Sequence, residues 1–246
     1  MAERIAPGTW SIQDQTVTLP VDITGARITA ALFSASASDA RKVLSGTPLR
    51  PFAVFGRAVS LLMALHYGPW ALGEYDEVGV GLLALGPGRR PGLHIVDLPV
   101  TGAFTREAGQ DFWALPKWLM TADLSFEASS TSVTVRDGGA SVLQAVIRAG
   151  RLRLPFGIRA SLPAWCYLDR GAQAGSLLWG RVPMNLSGVR VGTGGFDARL
   201  SSHPMTDRMR DLGMLGRPWL TVTARRLTGP LDEFRVVTAT SAPSRG

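Results

Sequence analysis

Short apolar stretches, rich in β-branched residues and separated by glycine and proline, recur along most of the chain. Such stretches are typical of strands joined by turns, because branched side chains fit a pleated sheet and glycine or proline interrupts it. The pattern predicts strands at 27–33, 53–67, 75–85, 94–100, 122–128, 131–137, 141–149, 175–184, 219–227 and 233–240. Residues 1–25 are predicted to be irregular, apart from a short alternating stretch at 16–19.

Helical signals are fewer and shorter. Helices are predicted at 39–44, where Ser36 or Ser38 can cap the first turn, at 104–113 and at 204–213. The chain shows neither an internal repeat nor a linker. We therefore predict a single domain over residues 1–246 of the mainly β (α+β) class, an antiparallel β-barrel with a few short helices.

Composition excludes several classes of protein. The 246 residues, 46% of them hydrophobic, suffice for one large domain with a core. The formal charge is +7, but the arginines are scattered and not interleaved with aromatic residues, so no nucleic-acid partner is predicted. One cysteine excludes an internal disulfide, and the three histidines lack metal-ligand spacing. We predict no metal and no cofactor.

Targeting signals are also missing from the sequence. The N-terminus carries no apolar segment of the signal-peptide kind, and the longest apolar runs are broken by Gly, Arg or His. We therefore expect a cytosolic protein that has no membrane partner.

Lysine usage is the most informative compositional feature. Of 26 basic residues, 24 are arginine and only Lys42 and Lys117 are lysine. Lys42 lies in a polar helix and is predicted to be solvated, whereas Lys117 stands between apolar residues in the segment 112–120. Burial lowers the pKa of an amine because it penalises the charged form, and a neutral amine can attack a carbonyl. Lys117 is therefore a candidate nucleophile; the alternative is a lysine whose stem lies on apolar surface while its amine stays in solvent.

A second candidate lies in the predicted strand at 75–85. Tyr75, Glu77, Gly79 and Gly81 share one face of that strand. A carboxylate beside two positions without side chains describes a pocket wall with room for a ligand. An exposed edge strand, in which the glycines mark a bulge, is the alternative.

Both candidates lie in segments that resemble one known family. The segment from Gly109 to Lys117 is similar to the aromatic-Pro-Lys segment of the acetoacetate decarboxylase family, and Gly73 to Glu77 is similar to its Tyr-x-Glu element. Weaker similarity covers 24–44 and 198–214. The resemblance implies that Lys117 is a Schiff-base nucleophile and Glu77 its acidic partner. With a one-residue gap it places Arg27 at the family's substrate-contacting arginine, and it implies a homo-oligomer.

Two positions depart from the decarboxylase pattern. Trp118 stands where the decarboxylase has a second lysine, and Leu61 stands where it has a second pocket glutamate. Together with Trp113, these residues predict a roomy, apolar substrate pocket, which Tyr75 also lines. The departures weaken the case for acetoacetate as substrate but leave imine chemistry open, because that chemistry needs only the amine.

Three functions are consistent with these residues. The first is a Schiff-base lyase that decarboxylates a keto acid or related carbonyl compound, with Lys117 and Glu77 as catalytic residues and Arg27 on the substrate carboxylate. The second uses the same imine for aldol condensation and dehydration of a larger apolar carbonyl compound. The third is a small-molecule binding module in which Lys117 stays protonated.

Overall fold

The computed structural model of the chain describes residues 2–168 and 174–237, and most of these residues lie in strands. The strands, in chain order, are β1 (Glu3–Ala6), β2 (Thr9–Ile12), β3 (Gln15–Thr18), β4 (Val21–Ser36), β5 (Arg50–Pro51), β6 (Ala53–Val54), β7 (Arg57–Tyr67), β8 (Tyr75–Leu85), β9 (Pro91–Val100), β10 (Lys117–Leu119), β11 (Thr121–Phe126), β12 (Ser130–Asp137), β13 (Ala140–Arg148), β14 (Leu152–Arg153), β15 (Ile158–Tyr167), β16 (Leu177–Ser187), β17 (Arg190–Gly192), β18 (Phe196–Leu200), β19 (Leu220–Leu231) and β20 (Arg235–Val237). The helices are α1 (Ala37–Val43), α2 (Ala103–Trp113) and α3 (Pro204–Asp211), and Pro87–Arg89 form one 3-10 turn.

Seven strands close into a barrel. The strands β4, β7, β8, β9, β15 and β16 follow one another in hydrogen bonding, and β19 pairs with both β4 and β16. The pairings around the barrel are antiparallel except that β9 runs parallel to β15, and β10 adds a second parallel pairing to β9. Closure gives the sheet an inner face, toward which alternate side chains of each strand point.

The outer face of the barrel carries the main hydrophobic core. Phe33, Leu62 and Val80 are almost fully buried there, in one cluster with Met205 of α3 and with Val133 of β12. Strand β12 belongs to a separate four-stranded sheet, β11-β12-β13-β18, which covers this side of the barrel. Side chains at the alternate positions of β4, β7 and β8 therefore point into the barrel.

A small N-terminal sheet and helix α2 cover a second part of the barrel. Strands β1, β2 and β3 pair in that order. Ile12 and Val17 of this sheet pack with Tyr67 of β7 and with Phe112 and Ala108 of α2 in a second hydrophobic cluster. This cluster brings α2 against the part of β8 that contains Tyr75.

The predicted fold class is confirmed, because the described residues are mainly β and form a barrel with three short helices. The helices predicted at 104–113 and 204–213 correspond to α2 and α3, and α1 begins after Ser36, whose Oγ accepts a hydrogen bond from Asp39 N at 3.0 Å. None of the helices in the described ranges is long and apolar enough to cross a bilayer.

Several predicted boundaries are wrong. The predicted strand at 53–67 is divided into β6 and β7, because Phe55 and Gly56 adopt positive φ angles of 48° and 74° and form a turn. Residues 1–25 are not irregular, since they form β1 to β3 and the start of β4, and β15 was not predicted at all. Of the last predicted strand, residues 238–240 lie outside the described residues.

Candidate active site

Glu77 lies on the inner face of the barrel. Along β8, Tyr75 and Glu77 alternate with Asp76 and Val78, and Val78 belongs to the outer-face core. Tyr75 and Glu77 must therefore point inward. Only 5% of the surface of Glu77 is exposed, so its carboxylate requires a partner within the protein.

Helix α2 and the turn that follows it bring Lys117 to the same place. The helix ends at Ala114, which adopts a left-handed conformation with φ of 53°, and Leu115 N donates to Gly109 O at 3.0 Å. The chain then enters β10 at Lys117 and runs beside β9. Gln110 Nε2 donates to the carbonyl oxygen of Lys117 at 2.6 Å, which fixes its backbone against the helix.

The Lys117 amine is surrounded by three polar or aromatic groups. Its Nζ lies 2.9 Å from Glu77 Oε2 and donates a hydrogen bond of 2.9 Å to Thr105 Oγ1. The same atom stands 5.1 Å from the centroid of the Tyr75 ring, within the range of a cation–π contact. Lys117 is 5% exposed and Thr105 is fully buried. The amine is thus held in one position by contacts from β8 and α2.

A glycine in α2 makes room for the Lys117 side chain. A Cβ at Gly109 would lie 2.4 Å from Lys117 Cδ and 2.6 Å from its Cε, well inside van der Waals contact. Any larger residue at this position would displace the lysine stem. The absence of a side chain at Gly109 is therefore part of the site's geometry.

Two tyrosines border the carboxylate. Tyr67 Oη lies 3.5 Å from Glu77 Oε1, at the limit of a hydrogen bond, and its ring stacks on that of Tyr75 with centroids 4.6 Å apart. Burial raises the pKa of both phenols well above the ordinary value, and the negative charge of Glu77 raises the pKa of each further. Both hydroxyl groups therefore stay protonated, and that of Tyr67 donates toward the carboxylate.

This arrangement can exchange protons and attack an electrophile. An amine and a carboxylate in direct contact can pass a proton between them, which makes the amine a nucleophile and the carboxyl a general acid. Within the described ranges, no three histidine, cysteine, aspartate or glutamate side chains are grouped so that they could hold a metal ion. The contact between the amine and the carboxylate is suited to covalent chemistry on a carbonyl compound.

The structure does not bring Arg27 to this site. Arg27 on β4 lies opposite His66 on β7, and His66 lies opposite Asp76 on β8. Because Asp76 precedes the inward-facing Glu77 in β8, all three residues lie on the outer face. The inner-face position on β4 is taken by Ala26, which pairs with Tyr67. The prediction that Arg27 lines the Lys117 cavity is therefore wrong, because a shift of one residue along a strand reverses the face.

Trp118 is also on the other side of its strand. Because consecutive side chains of a strand point in opposite directions, Trp118 faces away from the Lys117 amine. Its ring lies 5.2 Å from that of His203, and it packs against the outer-face core. The prediction that Trp118 lines the substrate pocket is therefore not supported by its position.

The remaining predicted pocket residues have different environments. Tyr75 adjoins Lys117, as described above. Trp113 is 1% exposed, and its Nε1 donates to the carbonyl oxygen of Asp232 at 2.8 Å, so its contacts are those of a core residue. Leu61 lies on the inner face, half-buried, and packs with Met63 and Leu115 around a third hydrophobic cluster.

Sequence reasoning missed three residues of the site. Thr105 holds the amine, Gly109 makes room for the lysine stem and Tyr67 approaches Glu77. The spacing of Thr105, Gly109 and Phe112 at i, i+4 and i+7 places them on one face of a helix. That periodicity, in the helix just before Lys117, was the available signal.

Comparison with known proteins finds a matching family and similar folds. The sequence model of the acetoacetate decarboxylase family matches residues 4–239, whereas no curated protein sequence matches the chain. The fold is similar to that of an acetoacetate decarboxylase (TM-score 0.68, 16% identity, 91% of each chain covered). It is also similar to the acetoacetate decarboxylase from Legionella pneumophila subsp. pneumophila str. Philadelphia 1 (TM-score 0.64, 12% identity, 91% of this chain and 89% of that chain).

A third similar structure is that of a biosynthetic enzyme. It is the enduracididine biosynthesis enzyme MppR, in complex with the condensation product of pyruvate and imidazole 4-carboxaldehyde (TM-score 0.64, 14% identity, 92% of each chain). At these identities the solved structures establish likeness of fold alone. The family match covers nearly the whole chain and includes both Lys117 and Glu77, and the chain therefore belongs to the acetoacetate decarboxylase family.

Proposed function

We propose that this protein is an enzyme that forms a Schiff base between Lys117 and a small carbonyl compound. The observation that carries the proposal is the buried contact of 2.9 Å between Lys117 Nζ and Glu77 Oε2. A lysine that served only to fill space or to reach solvent would not need a buried carboxylate, a threonine hydroxyl and a glycine that accommodates its stem. Membership in the acetoacetate decarboxylase family supports the same chemistry.

Glu77 moves the protons in the proposed mechanism. It first accepts a proton from the Lys117 ammonium, which frees the nitrogen lone pair to attack the substrate carbonyl carbon. The attacking nitrogen then passes one of its protons to the carbonyl oxygen, which gives a neutral carbinolamine. Glu77 then returns its proton to the hydroxyl group, which leaves as water and yields the imine. Thr105 Oγ1, which accepts a hydrogen bond from Nζ, keeps the nitrogen oriented during these steps.

Decarboxylation is the first of two reactions open to the imine. With a β-keto acid, the bond between the α-carbon and the carboxyl group breaks and its electrons flow to the protonated imine nitrogen, releasing carbon dioxide and leaving an enamine. Protonation of the enamine carbon and hydrolysis then free the ketone and the amine. Apolar surroundings favour this step, because they do not stabilise the carboxylate that is lost.

Aldol condensation followed by dehydration is the second candidate reaction. Two observations favour it. Ala26 stands at the inner-face position where a substrate-binding arginine was expected. In addition, a cluster that includes Leu98, the strand neighbour of Lys117, is packed by the partly buried apolar side chains of Leu61, Met63, Leu83, Leu115 and Leu162. Such apolar surroundings suit a larger, apolar carbonyl compound and offer no positive charge that would bind a carboxylate of the substrate. In this route the imine loses an α-proton to Glu77, and the resulting enamine attacks an aldehyde.

Borohydride trapping read by intact mass tests the proposal. Reduction of an imine by borohydride fixes the substrate to the amine, so the protein gains the mass of the carbonyl compound less water plus two hydrogens. Wild type should gain one such adduct with members of a panel of β-keto acids, pyruvate and apolar ketones. Lys117→Arg should gain none, because guanidinium stays protonated and cannot attack.

The same panel separates the candidate functions. Release of carbon dioxide from a β-keto acid supports decarboxylation, whereas loss of water from a mixture of a ketone and an aldehyde supports aldol condensation and dehydration. Binding of a carbonyl compound without any trapped adduct would contradict the proposal and would identify the protein as a binding module.

A further inference from the structure

A groove on the outer side of the barrel contains an unusual concentration of arginine. It has a volume of about 640 Å³ and lies between β4 and β19 of the barrel and the strands around β12. Its lining includes Arg27, Arg153, Arg190 and Arg225 together with a single carboxylate among the described residues, that of Glu127. Neither Lys117 nor Glu77 lines it, so the groove is separate from the imine site.

The four guanidinium groups have no carboxylate partner in the part of the chain that the structure describes. The ion pairs formed there by arginine use Arg4, Arg148, Arg208 and Arg210 instead. Four like charges that line one groove beside a single carboxylate repel one another, and an anion in the groove would relieve this repulsion. The groove is therefore built for a negatively charged occupant.

Two of the arginines are held in place by the surrounding backbone. Arg190 donates from Nε to Gly150 O and from one terminal nitrogen to Ala128 O, both at 3.0 Å, which leaves its other terminal nitrogen available. The stem of Arg225 lies over Gly188, where an added Cβ would meet its Cδ at 2.8 Å. These contacts reduce the side-chain entropy that binding an anion would otherwise cost.

A second concavity of about 330 Å³ extends the basic surface. It shares Arg27 and Arg225 with the groove and adds Arg226 and His66. The cationic lining thus continues from one compartment into the next. A ligand with more than one anionic group, or with an anionic end and a longer body, matches this shape better than a single small ion does.

We propose that this arginine groove binds a phosphate-bearing small molecule, of the class of nucleoside diphosphates and coenzyme A. Arginine presents a planar fork of donors that matches phosphate oxygens in pairs. The volume of the groove lies within the range of small-molecule sites, about 300–1,000 Å³.

Calorimetric titration at low ionic strength tests this assignment. The probes are ADP, coenzyme A, inorganic pyrophosphate and sulfate, titrated into the full chain. We expect one organic phosphate to bind at least about tenfold more tightly than sulfate, since paired, charge-assisted hydrogen bonds to several phosphate oxygens are the strong ones. Comparison of the affinities for ADP and for coenzyme A distinguishes the two sources of the phosphate group.

Matched variants locate the binding. The double variant Arg153→Ala with Arg225→Ala should weaken binding of that phosphate by at least about tenfold, while Arg41→Ala, an exposed arginine on α1, should leave it unchanged. Circular dichroism and unchanged borohydride trapping at Lys117 would show that the double variant is folded, independently of phosphate binding.

Three results would overturn the proposal. They are the absence of binding by every probe, equal binding of sulfate and organic phosphates, and equal affinity of wild type and the double variant. A concentration-dependent dimer that the double variant abolishes would also overturn it, because an acidic segment of a second copy would then occupy the groove.

Discussion

Lys117 and Glu77 form an ion pair that is removed from solvent on both sides, with side-chain exposures of 3% and 6%. Each charge is tolerated inside the barrel because the other is 2.9 Å away. If Lys117 were buried without a partner, its replacement by methionine would remove the cost of desolvating the amine and would stabilise the protein. With Glu77 in contact, the same replacement instead leaves a buried carboxylate without its partner.

Substitution of either partner is therefore expected to destabilise the protein. Lys117→Met should lower the free energy of unfolding by about 3–5 kcal/mol, the usual cost of breaking a buried pair, and Lys117→Met with Glu77→Gln should recover much of that loss. Urea unfolding measures both. Lys42→Met is the matched control, since Lys42 pairs with Asp39 at the surface, where an ion pair contributes little to stability. Equal stability of wild type and Lys117→Met would contradict this interpretation of the ion pair.

The two tyrosines beside Glu77 predict a characteristic alkaline titration. Burial and the Glu77 charge raise the pKa of Tyr67 and Tyr75 well above 10.0 in the folded protein. The unfolded chain releases these protons near that ordinary value, so their contribution to stability is complete below it and declines as the pH rises further. Near-ultraviolet absorbance should show that two of the three tyrosines ionise only on unfolding. Ionisation of all three in the folded protein near pH 10 would contradict the packing of these rings.

At the scale of the element, helix α2 and its terminus decide where the amine lies. Thr105 and Gly109 face Lys117 from one side of the helix, and the left-handed Ala114 reverses the chain so that β10 can run beside β9. One helix thus positions both the backbone and the side chain of the proposed nucleophile. Small changes in α2 should act on the chemistry without touching the substrate.

Gly109→Ala tests this role of α2. Alanine favours the helix over glycine by about 1 kcal/mol, but its Cβ would lie 2.4 Å from Lys117 Cδ and displace the amine from Glu77. Misplacement of a reacting group by about 1 Å costs on the order of 10²-fold in rate, so the rate of adduct trapping should fall by a similar factor. An unchanged trapping rate would show that the lysine stem does not depend on this glycine.

Ala114→Gly is the matched change on the same helix. Ala114 has a φ of 53°, a conformation that glycine adopts without the cost of about 1 kcal/mol borne by other residues. We expect this variant to raise the free energy of unfolding by about that amount and to trap substrate as wild type does. Destabilisation on urea unfolding would contradict the assigned helix terminus.

The elements also explain why the sequence predicted part of the site and not all of it. Lys117 and Glu77 stand out locally, one as a rare lysine among apolar residues and the other on a face with two glycines. Arg27 and Trp118 were misplaced because successive side chains of a strand point to opposite faces. A residue can be assigned to one face only when the register is known without an error of one position. Tyr67 reaches the site through the pairing of β7 with β8, which is a long-range contact that local patterns do not contain.

At the scale of the whole molecule, the barrel separates two surfaces of different chemistry. Its inner face carries the Lys117–Glu77 pair and an apolar cluster that includes Leu98, the strand neighbour of Lys117. Its outer face carries the main core on one side and the arginine groove between β19 and β12. The arginine once expected at the substrate site belongs to that outer groove, which gives the proposed catalytic and phosphate sites opposite faces of the same sheet.

The outer surface also predicts association of several copies of the chain. Large apolar side chains are exposed at Phe55, Leu152, Phe156 and Leu215, and Phe55 is fully exposed at the tip of a turn with positive φ. Exposed apolar side chains that lie together mark interaction surfaces, and Leu152 and Phe156 are only four residues apart in the chain. Light scattering should give a mass that is a multiple of the 26.3 kDa chain. A mass equal to one chain at all concentrations would contradict the expected homo-oligomer.

Peptide mapping of the borohydride-trapped adduct tests most directly whether Lys117 is the imine-forming amine. The chain contains only two lysines, Lys42 and Lys117, so the α-amino group and these two side chains are the candidate amines. The adduct is predicted on Lys117 in wild type and equally in Arg27→Ala, since Arg27 lies on the outer face, and in no position in Lys117→Arg. An adduct on Lys42 or on the α-amino group, or one that persists in Lys117→Arg, would contradict the account.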